Sequence, residues 1–195
     1  SSGAAATLAL TYSAQDGDLI IIDFCSRSSS AAAPTLSTGG WALLGGAGIK
    51  NGTSVVDFLW YKTVSGSESG VTITPPASVQ CAASLLVIKA GTHQGVIEGA
   101  SVAATSPVNP PPLTPTWGAA STLWASTYAR ASGVSVSVYP LPDNNSFARS
   151  STSSAGASSG ICTQSLNAAA IDPSSWSLSS NSTHVCRTFA VRPAF

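Results

Sequence analysis

The side chains able to do chemistry in this chain are few, and their spacing decides what they can do. Its 195 residues hold two histidines, four cysteines and eight carboxylic acids against eight lysines and arginines. His93 stands in Gly91-Thr92-His93-Gln94-Gly95, and His184 comes just before the last apolar run. Neither has a second histidine or an acid at metal-ligand spacing, so no metal and no cofactor is expected. Asp23 and Asp57 lie inside apolar runs, where a structural carboxylate is the expectation; a carboxylate pair for glycoside cleavage has no support from spacing. No serine is read as the nucleophile of a strand-to-helix elbow, so acyl transfer would need a histidine and an acid brought together by folding alone. No catalytic residue is assigned, and the chain is expected not to be an enzyme.

The cysteines divide evenly, Cys25 and Cys81 early, Cys162 and Cys186 late. Four cysteines allow three pairings, and spacing does not choose among them. Cys25 and Cys81 fall in apolar strands and are expected as free buried thiols. Cys162 and Cys186 are the expected bridge, because their half has weaker strands and a long polar loop whose closure would add about 3 kcal/mol. Of the tryptophans, Trp60 and Trp124 sit inside apolar strands and belong to the core, and Trp41 lies over it. Trp117 follows the run Pro107-Val108-Asn109-Pro110-Pro111-Pro112-Leu113-Thr114-Pro115 and precedes Gly118. Pro110, Pro111, Pro112 and Trp117 are therefore the expected subunit contact, since exposed aromatic rings anchor interfaces and stack on sugars. Matches to the N-glycosylation triplet at Asn51, Asn144 and Asn181 carry little weight without a secretory context.

The elements that must position these residues read as strands. Gly17-Asp18-Leu19-Ile20-Ile21-Ile22-Asp23-Phe24-Cys25 enters through a turn and hardly alternates, the pattern of a central strand covered on both faces. Three consecutive isoleucines favour a pleated surface over a helix. Ser121 to Arg130 echoes it at an offset of 104, with Leu123 for Leu19, Trp124 for Ile20 and Tyr128 for Phe24. Further pairs follow: Trp176-Ser177-Leu178-Ser179 with Val71-Thr72-Ile73-Thr74, and Phe189-Ala190-Val191 with Leu85-Leu86-Val87. A first strand is expected over Ala4 to Tyr12, a cleanly alternating one over Val134 to Val138, and a short one at Val96-Ile97-Glu98. No stretch has helical periodicity over the length a helix needs. The reading is one all-β domain over 1–195, built from related halves at 7–100 and 117–195, joined by a Pro-rich crossover at 106–116 that runs extended over the surface outside any ladder.

Composition narrows the partners. Only 8% of residues are charged, against about 25% in an ordinary soluble domain, and the net charge is zero. A surface of Ser, Thr, Ala and Gly has little repulsion to keep copies apart, which suits a protein packed against others as a homo-oligomer. The basic residues are scattered singly, so nucleic acid is not an expected partner. Apolar runs such as Leu19 to Ile22 are far below the roughly 18 residues of a membrane span, and no membrane association is expected. The Met-free start Ser1-Ser2-Gly3 reads as one from which an initiator Met was trimmed, and a signal peptide is expected to be absent or already removed.

Several of these features resemble a family of small tailed-phage virion proteins and their prophage relatives: Gly17-Asp18-Leu19, Gly40-Trp41, the strand end Trp60-Tyr61-Lys62, Pro111 to Gly118, and Ala190-Val191-Arg192-Pro193-Ala194. The resemblance implies a jelly-roll-like antiparallel β-sandwich and a non-enzymatic structural role in a bacteriophage particle, as a capsid decoration or cement protein or another small virion component. Its partners would be other virion proteins, a major capsid or tail protein, and its location the virion, assembled in the host cytoplasm. The alternative is a receptor- or carbohydrate-binding module of a phage tail or cell-surface adhesin, with a host glycan as partner.

Overall fold

The computed structural model describes residues 7–141, 147–150, 156–180 and 183–194. Among them the chain is all-β and antiparallel throughout. The strands are β1 (Leu8–Ala14), β2 (Leu19–Ser26), β3 (Thr35–Leu36), β4 (Ala42–Leu43), β5 (Ile49–Asn51), β6 (Val55–Thr63), β7 (Glu68–Thr74), β8 (Cys81–Ile88), β9 (His93–Ala104), β10 (Ala120–Arg130), β11 (Val136–Val138), β12 (Phe147–Ser150), β13 (Ser158–Ala168), β14 (Ser177–Leu178) and β15 (His184–Pro193). Two large sheets dominate. One runs β4-β6-β2-β8, with β5 also on β6, and the other runs β12-β13-β10-β15-β9. β2 is buried along its whole length, as its lack of alternation predicts.

The two large sheets face each other, and each has a second cover. Odd-numbered side chains of β2 and β10 point into the shared interface, where Leu19, Ile21 and Leu59 meet Ala125, Ile161, Phe189 and Val191. The opposite face of the β2 sheet carries Ile20, Ile22, Phe24, Phe58 and Trp60, packed under the small sheet β1-β7-β3 through Tyr12, Val71 and Ile73. Phe58 and Trp60 stack there, with ring centroids 5.3 Å apart. The outer face of the β10 sheet carries Trp124, Tyr128, Cys162 and Cys186, covered by Val108, Leu113, Val134, Leu141 and Trp176 and by the β11-β14 ribbon. Four β layers result, with the two largest sheets inside.

Several local expectations change. The first strand is Leu8–Ala14, and the alternating valine strand shrinks to Val136–Val138, with Val134 buried and Val138 about half exposed. The short strand at Val96 is the twelve-residue β9, and it pairs with β15 in the β10 sheet. The proline run joins no ladder, but it makes one isolated bridge: Leu113 and Ile171 exchange both backbone hydrogen bonds, at 2.9 and 3.0 Å. Proline removes its own N–H only, and Leu113 keeps one. The offset also slips. Leu19 pairs with Ile88 and Leu123 with Val191, so these partners differ by 103 where Leu19 and Leu123 differ by 104. Phe189 thereby corresponds to Leu86, and both face the interface between the large sheets. Leu85, its expected counterpart, packs on the other face.

Candidate functional site

Mid-strand in both large sheets, the apolar interface is interrupted by a polar row. It takes one buried residue from each of six strands: Asp23 on β2, Asp57 on β6, Ser84 on β8, Thr127 on β10, Ser159 on β13 and Arg187 on β15. Leu19, Ile21 and their partners close one end of the row, and Cys25, Val55, Ala129 and Val185 close the other. Arg187 Nε donates to Asp57 Oδ2 at 2.5 Å, and its Nη2 donates to the Asp57 carbonyl at 3.1 Å. Ser159 donates to Asp23 Oδ2 at 2.8 Å, with Ser84 Oγ 3.0 Å from the same hydroxyl. Asp23 Oδ1 and Asp57 Oδ1 each lack a donor, yet the two carboxyls are close enough to hydrogen-bond once one of them carries a proton.

Asp23 is the one that carries it. Burial pushes its carboxyl well above the usual range, the charge on Asp57 adds to that, and Arg187 opposes it. Burial also raises Asp57, but the Arg187 charge and hydrogen bond pull it back and keep it the ionised partner. The row therefore reads as neutral Asp23, anionic Asp57 and cationic Arg187. Being closed at both ends, it admits no substrate, and its role is to join the sheets.

The other suspected chemistry is engaged structurally too. Gly156-Ala157-Ser158-Ser159-Gly160 does have nucleophile-elbow spacing, contrary to the sequence reading. Ser158 opens β13 instead of a helix, is fully buried and donates to the Ser132 carbonyl. His93 Nδ1 accepts from Gly95 N at 2.9 Å, and burial lowers its pKa. Asp18 accepts from Lys89 Nζ at 2.8 Å, Gln15 N at 3.0 Å and Ala90 N at 2.9 Å, which holds it down to about 2. Asn51 Nδ2 donates to the Ala104 and His184 carbonyls at 2.6 and 2.8 Å, so its triplet serves the fold. Asn144 and Asn181 lie outside the described residues. Among the described residues no three metal-ligating side chains gather.

The expected Cys162–Cys186 bridge does not form; all four cysteines are free thiols. Cys162 on β13 pairs with Ser126, and Cys186 on β15 pairs with Tyr128, so β10 stands between them. Two strand spacings are about 9.5 Å, beyond the roughly 7 Å that a disulfide spans. Cys25 and Cys81 lie on adjacent strands but turn to opposite faces of the β2 sheet. Burial pushes the Cys162 thiol up to about 12 and Cys25 and Cys186 well above the ordinary range.

The proline run and Trp117 are largely absorbed by their own domain. Pro110 is buried, Pro111 is half-buried with its carbonyl accepting from Thr188 Oγ1 at 2.5 Å, and Pro112 is exposed. Trp117 is half-buried against the outer cluster of the β10 sheet, and its Nε1 donates to Thr122 Oγ1 at 3.0 Å. Its turn is fixed twice. Gly118, at φ +71°, closes back onto the Pro115 carbonyl, and Glu98 on β9 accepts from both Thr116 N, at 2.9 Å, and Thr116 Oγ1.

Beside that turn is the candidate site, a cavity of about 370 Å³ lined by Gln94, Trp117, Ser121 and Arg192 among others. Gln94 and Arg192 come from opposite ends of β9 and β15, which the antiparallel ladder brings together, and Ser121 from the start of β10. Gln94 Nε2 is enclosed with no partner among the described residues. A second cavity, of about 300 Å³, also has Ser121 in its wall, together with His93 and Leu123. Of the cavity residues only Trp117 was read from the sequence as a candidate contact; Gln94, Ser121 and Arg192 lie in quoted stretches but were given no role there. Compared with known protein families, with curated proteins and with solved structures, the chain matches none.

Proposed function

We propose that the chain is a non-enzymatic structural protein of a bacteriophage particle, most simply a capsid decoration or cement protein built from two related halves in a jelly-roll-like sandwich. The observation that carries this reading is a surface with almost no charge combined with β9, a sheet edge twelve residues long with a single acid and no proline. Such an edge is a template for pairing with another chain, and proteins that must stay apart guard theirs with charge or proline. The partners would be other virion proteins and further copies of this chain, with assembly in the host cytoplasm. The buried row supports the reading in a second way, since it binds the two large sheets with no access for a substrate. Mass spectrometry of purified particles tests it: the chain should appear at a stoichiometry comparable to the major capsid or tail protein. Particles lacking it would sink the proposal.

A receptor- or glycan-binding module of a phage tail or adhesin is the second reading, favoured by the cavity beside Trp117. Reproducible glycan-array binding by the isolated chain would support it.

A further inference from the structure

We infer that the cavity beside the Trp117 turn is a subsite for an N-acetylated hexosamine, an uncharged sugar ring carrying an acetamido group, within a longer glycan. The inference rests on the glycan-binding reading and names the ligand class for the same cavity. Whether the chain sits in a particle does not enter it. Size comes first: about 370 Å³ lies at the lower end of small-molecule sites and suits one substituted sugar ring.

The walls then select the chemistry, beginning with charge. Arg192 is the only ionisable residue of the described lining and is already engaged in a contact of its own, and Glu98, the nearest acid on β9, is taken up by Thr116. Recognition therefore falls to uncharged groups. Trp117 offers an indole whose N–H is satisfied by Thr122, so the part of the ring on the cavity contributes only its apolar surface, a flat plate that matches the C–H face of a pyranose. The plate is also rigid, because Glu98 grips Thr116 and Gly118 closes the turn, so little ordering cost accompanies binding. Gln94 adds a carboxamide whose nitrogen is enclosed with no partner among the described residues. Turning that amide about its terminal torsion, a soft twofold rotation, brings the nitrogen to the cavity and to a partner there. An acetamido group suits it in either rotation, since its C=O accepts from the Gln94 N–H and its N–H donates to the Gln94 carbonyl. Ala119, Ala120 and Ala194 complete the wall with methyl groups. A plain hexose would set hydroxyls against that hydrocarbon, whereas an N-acetylated one sets its own methyl there. Ser121 leaves an exposed hydroxyl for one of the ring hydroxyls.

The test is calorimetric titration of the full chain with trimers of N-acetylglucosamine and N-acetylgalactosamine and with their plain glucose and galactose counterparts. The N-acetylated trimers should bind about tenfold more tightly, the gain of one hydrogen bond and one buried methyl group. That affinity should hold as salt rises; a steep fall would point to a charged ligand and overturn the inference. Gln94→Ala, at a side chain whose nitrogen has no partner to lose, should remove most of the preference. Ala119→Leu, at an exposed position, should fill the place of the acetamido methyl and remove it too. Equal binding of N-acetylated and plain sugars would overturn the inference and leave the glycan reading standing. Absence of binding to any sugar would overturn both. A preference that survives both variants would overturn the assignment of this cavity.

Discussion

Asp23 and Asp57 are the same residue type, buried to the same depth on neighbouring strands, and they respond to mutation in opposite ways. Asp57 holds the Arg187 charge, so Asp57→Asn leaves a buried guanidinium uncompensated and should cost about 3–5 kcal/mol in urea unfolding at pH 7. Asp23 holds a proton. Its folded pKa is raised, so its stabilising contribution is whole below about pH 4 and is lost as pH rises toward the folded value. Asp18 works with the other sign: held at about 2, it contributes fully above about pH 4 and loses that contribution as pH falls toward 2. From these two carboxyls stability should fall as pH rises above about 5 and again as it drops below about 4, while His93, whose pKa burial lowers, takes stability away as pH falls below its ordinary value. Asp23→Asn, whose amide donates to Asp57 at every pH, should flatten the decline between pH 5 and 8. A wild-type profile that rises through neutrality would contradict this account. The thiols give a second check: alkylation should count four in denaturant, and in the native protein the half-buried Cys81 should react well before Cys25, Cys162 and Cys186. The sequence placed Asp23 and Asp57 as structural acids, because each breaks an apolar run. It could not show Arg187 as their partner, which sits about 130 residues from Asp57 in an ordinary-looking strand.

Among the elements, β2 was the most legible and β9 the least, for one physical reason. A strand buried on both faces writes itself as a continuous β-branched run, whereas β9 packs closely and uses Gly95, Gly99, Ala100 and Ala103, whose small side chains give no periodic signal. A Cβ at Gly99 would lie 2.7 Å from Leu44 Cδ2 and 3.1 Å from the Thr188 carbonyl, so the strand is glycine there for lack of room. Gly99→Ala should lower stability by about 1–3 kcal/mol. Adding Leu44→Ala should recover part of that loss, which thermal melts of the single and double variants would show; strict additivity would mean that Leu44 is not the obstacle. The bridge expected at Cys162 and Cys186 failed at this scale as well. The reading set both on strands of one half, but only the strand order puts β10 between them.

For the whole molecule, the interface between the large sheets buries Leu19, Ile21, Leu59, Phe189 and Val191 in one cluster, drawn from both ends of the chain. Cutting near Asn109 strips β9 of β15, its only ladder partner among the described residues, and opens that cluster to water. Neither fragment should melt cooperatively alone, while mixing the two should restore one transition; independent cooperative folding of either would refute the shared core. The sequence carried the all-β class, since strand length and apolar content are local properties. The layering escaped it, because which sheet covers which is decided by contacts between distant segments.

The polar row has a mechanical side. Apolar faces can slide, since methyl groups give up one neighbour for another at small cost, and a two-sheet stack held by them alone resists shear weakly. Here a pull along the strands would drag Arg187 off Asp57 and toward Leu59 or Val55, setting an ion against a hydrocarbon wall before any new contact formed. The row acts as a key cut across the grain of both sheets. It makes the stack stiff along the strand direction.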